Sequence, residues 1–344
     1  MRAGVERRGA TESMRTADLH TEATVVDGLQ INNWSPDVLR QLRKGGIHGV
    51  NATCAVWEGP TETLRLIGDW CQLQAAHPDL LRLVTSSEQI REAKASGHVG
   101  VLLGFQNTSP FADDYRMVEV FHRLGVRIAQ LTYNNQNLVG GACYEPVDSG
   151  LTRFGKVIVA EMNRVGMLVD LSHVGNRTCL EAIAASSGPV AITHSNPTWF
   201  VDSPRNKPDE VIEALTARGG VIGACLYPNV IGGSAATLDG FCTMVARLCD
   251  QVGAEHVALG SDCTQDWGQD YVAYLRDGRW RPTDSTNPPQ WPQWPSWFTG
   301  PADFPHVTDG LQAVGLSDAE VTGILGGNWL RLFDDVFPGT RSES

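Results

Sequence analysis

No apolar run in these 344 residues reaches the roughly 18–20 that a membrane-spanning helix needs, so no such helix is expected. Positive charge is scarce. Lys and Arg number 27 against 39 Asp and Glu, a formal net charge of -12, which argues against nucleic acid or an anionic membrane surface as partner. None of the 8 cysteines forms a Cys-x-x-Cys pair, which removes the signals for a zinc ribbon or a thioredoxin-type site. No Gly-x-Gly-x-x-Gly follows the first β-rich run, so a dinucleotide crevice is not indicated. Residues 1–20 lack the apolar core of a secretory signal. An irregular extension over 1–22, free thiols and a cytoplasmic location are the expectations that follow.

What is present is a repeated alternation. Short, nearly continuous apolar runs lie at 24–30, 49–56, 99–106, 126–133, 167–173, 190–194, 220–227 and 256–262. Runs of this kind suit parallel strands buried on both faces. Helical spacing fills the gaps over 113–124, 154–165 and 208–218, each followed by glycine as a stop. Strand–helix alternation repeated eight times predicts an α/β fold, a (β/α)8 TIM barrel, over 23–344. An excursion at 266–305 breaks the pattern. It is rich in proline and carries Trp267, Trp280, Trp291, Trp294 and Trp297, so it is expected to be ordered over the mouth or in a subunit contact. A helix is expected over 317–337.

Most runs end in a polar or reactive side chain: Gln30, Gln106, Tyr133, His173, His194, Tyr227 and Asp262. In a barrel these ends converge on the face where active sites sit. His173 and His194 end the fifth and sixth runs, and neighbouring parallel strands lie about 4.8 Å apart. Two imidazoles so placed could meet one divalent ion, and could equally be a hydrogen-bonded structural pair. Asp262 could ligate, serve as a general base on water, or cap the next segment. Cys54 and Cys263 fall near the same mouth as candidate thiolates, with inert buried thiols the plainer reading.

A set of short stretches carries a resemblance. They are GLTRFGK at 150–156, GMLVDLSH at 166–173, THSN at 193–196, PRN at 204–206, RGGVIG at 218–223, GSD at 260–262 and GGN at 326–328. Together they resemble the renal (membrane) dipeptidase family, metal-dependent hydrolases of the amidohydrolase kind. The resemblance implies two zinc ions bridged by a carboxylate, and a homodimer. It makes His173 and His194 the ligands of one ion, matches Asp262 to a strand-end aspartate, and makes Arg205 the grip on the substrate carboxylate. The departures are concerted. The family's Asp-Gly-His-x-Asp reads here Asp27, Gly28, Leu29, Gln30, Ile31; its bridging Glu is Gln106; its carbonyl-binding His is Tyr133. Leu29 and Ile31 cannot bind a metal, and an amide is a poor bridge between cations. The expectation is a dipeptidase-like hydrolase of a C–N bond in a small carboxylate-bearing substrate, with one divalent ion, zinc, or none. Asp262 and Tyr133 are the expected catalytic groups, His173 and His194 the metal ligands, and Arg205, Gln106 and Tyr227 the substrate-binding residues. A lyase or isomerase on the same scaffold, or an inactive homologue, are the competing readings.

Overall fold

The computed structural model describes residues 16–279, 281–282, 284 and 286–337. Nine strands form one parallel sheet among them: β1 (Val25–Gln30), β2 (Ile47–Ala55), β3 (Leu81–Leu83), β4 (Val99–Phe105), β5 (Val126–Gln130), β6 (Leu168–Asp170), β7 (Ala191–Ile192), β8 (Val221–Cys225) and β9 (Val257–Gly260). The order β1-β2-β4-β5-β6-β7-β8-β9 makes a barrel, with β3 hung outside on β4. Its two ends meet where Gln30 bridges Cys263, and where Asp262 and Ile31 donate their backbone N–H groups to Leu29 O at 3.0 Å and Cys263 O at 2.8 Å. Each of the eight expected runs contains one barrel strand; β3 is an addition. No helix of the described residues is long and apolar enough to cross a membrane.

Local chemistry sets the helix limits. Thr152 accepts from Gly155 N at 2.9 Å at the start of Arg153–Val165, and Gly166 ends that helix at φ 77. Ser35 caps Pro36–Lys44 in the same way, with proline in its first turn. Residues 1–15, the larger part of the expected irregular start, lie outside the described residues, but Thr16–Glu22 is helical rather than irregular. The single helix expected over 317–337 is two, Asp318–Thr322 and Asn328–Val336. Between them Gly326 presses on β1, where an added Cβ would sit 2.1 Å from Thr24 O. That contact bends the chain and lets Trp329 enter the barrel.

Trp329 is fully buried, donates from Nε1 to Leu259 O at 2.9 Å, and packs with Val26, Leu102, Ile128 and Leu168. Room for it comes from missing side chains. A Cβ on Gly28 would lie 2.6 Å from the indole, and one on Gly260 would lie 1.8 Å from Thr193 O. Small residues on β1 and β9 thus let the backbone next to His194 approach the opposite wall.

The excursion contains a helix, Gln269–Asp277, that its composition does not announce. Its indoles are anchored. Trp267 stacks on Tyr271 at 3.5 Å and donates to Ile31 O at 2.8 Å. Trp291 donates to Gly268 O and Trp297 to Ala236 O, while Trp294 meets the edge of Tyr227 at 5.8 Å. Trp280 lies outside the described residues.

Candidate active site

Two buried carboxylates tie the strand ends together. Asp170 at the end of β6 accepts from Ser172 N and Oγ (3.1 and 2.6 Å) and from Thr193 N and Oγ1 (2.9 and 2.7 Å). Asp27 does the same between β1 and β9, accepting from Ser261 N, Ser261 Oγ and Gln30 Nε2. Burial raises both acids, Asp27 to about 6, against the pull of these donors. The knots hold the loops that carry His173, His194 and Asp262.

The two imidazoles meet. His173 Nε2 and His194 Nε2 are 3.0 Å apart. The other nitrogen of each ring is already committed. His194 Nδ1 lies 2.8 Å from Thr193 Oγ1, whose own hydrogen goes to Asp170, so Nδ1 is the donor and carries the proton. His173 Nδ1 faces the amide oxygen of Asn134 at 2.7 Å and is likewise the donor. Burial first, and the Arg205 guanidinium second, push both rings well below the ordinary histidine range, so both are neutral at pH 7. Two bare Nε2 lone pairs therefore face each other with no proton between them. N–metal bonds of ~2.0–2.1 Å could span that separation.

Asn134 and Asp262 are two of the four non-glycine residues with positive φ among those described, at 58 and 56. Short polar side chains tolerate this conformation, which costs about 1–3 kcal/mol where it is held. Here it turns the Asn134 amide onto His173 and the Asp262 carboxylate into the mouth. Burial lifts Asp262 to about 7; Arg205 opposes the shift, and Asp27 and Asp170 add to it.

The mouth is a cavity of about 520 Å3, a size ordinary for a small-molecule site. His173, Tyr133, Arg205, Tyr227 and Asp262 line it, together with Arg276 and Trp291 from the excursion. Tyr133 stacks on His173 at 4.2 Å, and burial holds its phenol well above 10, so it remains a donor. Of the seven residues expected at the site, five share this cavity. His194 lies beneath, fully buried behind His173. Gln106 is buried, donates to Thr53 Oγ1 at 2.9 Å, and is not among the residues that line this cavity. Its Oε1 has no hydrogen-bond partner among the described residues. Arg205 lines the cavity, but two of its N–H groups hold Ser172 O (2.5 Å) and His194 O (2.9 Å), a clamp across the ends of β6 and β7. Cys54 lines a different cavity, and burial keeps it and Cys263 protonated. Asn134, Thr193, Asp170 and Arg276 escape a reading of run ends, because what they touch is set across strands or from the excursion.

The donor set does not fit a two-ion centre. Leu29 and Ile31 are apolar and buried, Gln106 is neutral, and among the described residues no three His, Cys, Asp or Glu side chains gather around one point. The paired Nε2 atoms leave two neutral donors, enough to contribute to a single ion and no more.

The fold is a parallel (β/α)8 barrel of the amidohydrolase-like kind, with paired imidazoles, a raised carboxylate and a guanidinium at one mouth. The chain belongs to the membrane dipeptidase family, peptidase family M19, whose model matches residues 16–276. It is 30% identical over 284 residues to dipeptidase verJ of Clonostachys rogersoniana, 82% of this chain and 67% of that protein. To dipeptidase tcpJ of Claviceps purpurea it is 28% identical, over 77% of this chain and 57% of that one, so it spans about three-fifths of such relatives. A crystal structure of an amidohydrolase from Pseudomonas aeruginosa is 38% identical with TM-score 0.89, covering 94% of this chain and 99% of that chain.

Proposed function

We propose that this protein hydrolyses the C–N bond of a small, carboxylate-bearing, amino-acid-derived amide, using at most one divalent ion, zinc, on His173 and His194. The observation that carries the reading is the pair of bare Nε2 atoms 3.0 Å apart, with an aspartate raised to about 7 lining the same cavity as His173. A bound ion there supplies Lewis acidity toward the scissile carbonyl and the attacking water. Asp262, poised near neutrality, takes the proton from water and returns it to the leaving amine. Tyr133 donates its hydroxyl hydrogen to the carbonyl oxygen as charge develops on it. Arg205 and Tyr227 orient the substrate, and the anchored tryptophans limit water at the mouth. Gln106 has no step assigned to it in this scheme; its Oε1 is a buried neutral oxygen without a hydrogen-bond partner among the described residues.

A competing reading, carbonyl or enol polarisation in a lyase or isomerase step, is favoured by the neutral donor set, which leaves a bound ion more cationic. Release of free amine separates the two. Zinc-loaded protein is incubated with dipeptides and N-acyl amino acids, with His173→Ala as control. Amine release that depends on His173 is the expected result. A protein that binds zinc tightly yet releases no amine from any of them overturns hydrolysis.

A further inference from the structure

We propose that Arg276, with the hydroxyl of Tyr227, forms a second anion-binding subsite at the mouth, and that the substrate is a dianion carrying one carboxylate for each of two arginines. The amide part of this statement rests on the function proposed above; the subsite itself does not.

The charge of the mouth runs against that of the molecule. The chain carries a net charge of -12, yet among the described residues the cavity wall presents Arg205, Arg276 and Arg281 against one acid, Asp262. Arg281 is paired with Asp277. Arg205 has two N–H groups committed to backbone carbonyls and faces Asp262. Arg276 differs from both. It forms no ion pair with a carboxylate among the described residues; its nearest partners are the Tyr227 hydroxyl and, at 3.4 Å, the Gln290 carbonyl. The adjacent Asp277 is buried and already held by Arg281.

The placement of Arg276 is built rather than incidental. Within Gln269–Asp277, Val272, Leu275 and Arg276 stand at i, i+3 and i+4, and all three line the cavity. The helical stripe that buries Val272 and Leu275 therefore directs the guanidinium stem to the mouth. Tyr227 is held from the other side by Trp294. A phenol hydroxyl beside an uncompensated guanidinium is a donor pair suited to one carboxylate. Arg276 is exposed, so a substrate with one carboxylate leaves it to solvent, whereas a second carboxylate at the mouth can pair with it. The cavity of about 520 Å3 has room for both groups.

The test is calorimetric binding of alanyl-glutamate, alanyl-glutamine, glutamyl-alanine and glutaminyl-alanine to the whole protein at low salt. One glutamate form should bind about fivefold or more tightly than its glutamine counterpart, and added salt should shrink the ratio. Arg276→Gln should bring the ratio to about one, Arg276→Lys should restore part of it, and Tyr227→Phe should lower it without removing a charge. Equal affinities in the wild type, or a ratio that survives Arg276→Gln, overturn the subsite. Preferred binding of a glutamate form without amine release leaves the subsite standing and removes hydrolysis. Amine release without that preference does the reverse.

Discussion

Replacing Arg205 by Met separates a clamp from a substrate grip. In the native structure the guanidinium donates to Ser172 O and His194 O, and neither carbonyl has another hydrogen-bond partner among the described residues. Both residues are fully buried. Met fills much of the stem volume but leaves two carbonyl oxygens without donors. An orphaned buried acceptor costs about 1–3 kcal/mol, and the adjoining cavity admits water to offset part of it, so a loss of about 2–4 kcal/mol is expected. For a chain of this length that lowers the melting temperature by about 3–6 °C. After burial, the cation also depresses His173 and His194, so its loss should let both rings take protons more easily and weaken metal binding as pH falls. Differential scanning calorimetry and an imidazole titration by NMR read the two effects. A variant with the wild-type melting temperature and unchanged histidine titration, but with substrate affinity lost, would refute the clamp and return Arg205 to a purely ligand-binding role.

Elemental analysis should find no more than one divalent ion per chain, and none after His173→Ala. Two dications ~3.5–4 Å apart repel by roughly 18 kcal/mol at an effective dielectric of 20, and Asp262 is the lone carboxylate in the wall to offset them; two tightly held ions would contradict this. Activity should rise with pH through about 7, because Asp262 works as a base only when ionised and burial has lifted it there. Asp262→Asn should abolish that limb along with turnover, and a wild-type rate flat from about pH 5.5 to 8.5 would remove Asp262 from the reaction. Gly260→Ala should destabilise the fold by at least about 1–3 kcal/mol and loosen the metal site, since the new Cβ would sit 1.8 Å from Thr193 O, next to His194; an unchanged melting temperature argues against that contact.

The barrel was legible in the sequence for one physical reason. Strands covered on both faces are apolar at most positions, and β4 and β9, buried along their whole length, carry no charged or amide side chain. Their polar ends stood out against that background, which is how His173, His194 and Asp262 could be picked before any fold was known. The resemblance then made His173 and His194 the expected metal ligands. It also exposed the loss of the first ion's ligands, because a missing ligand is a chemical fact about Leu29, Ile31 and Gln106 that needs no coordinates.

Other features were decided only by tertiary structure. β3 is too short to signal itself, and the helix carrying Arg276 lies in a segment whose prolines and tryptophans obscure its period. The break between 323 and 327 comes from the approach of Gly326 to Thr24, residues three hundred positions apart. Gln106 ends an apolar run as His173 does, yet it turns to Thr53 while His173 turns to the mouth. The protonation of the imidazoles depends on Asn134 and on Thr193, whose hydrogen is drawn away by Asp170. Apolar periodicity follows from what each residue's own backbone must bury, and so it is written locally. Where a polar side chain points is settled by partners that the chain brings together only when the barrel closes.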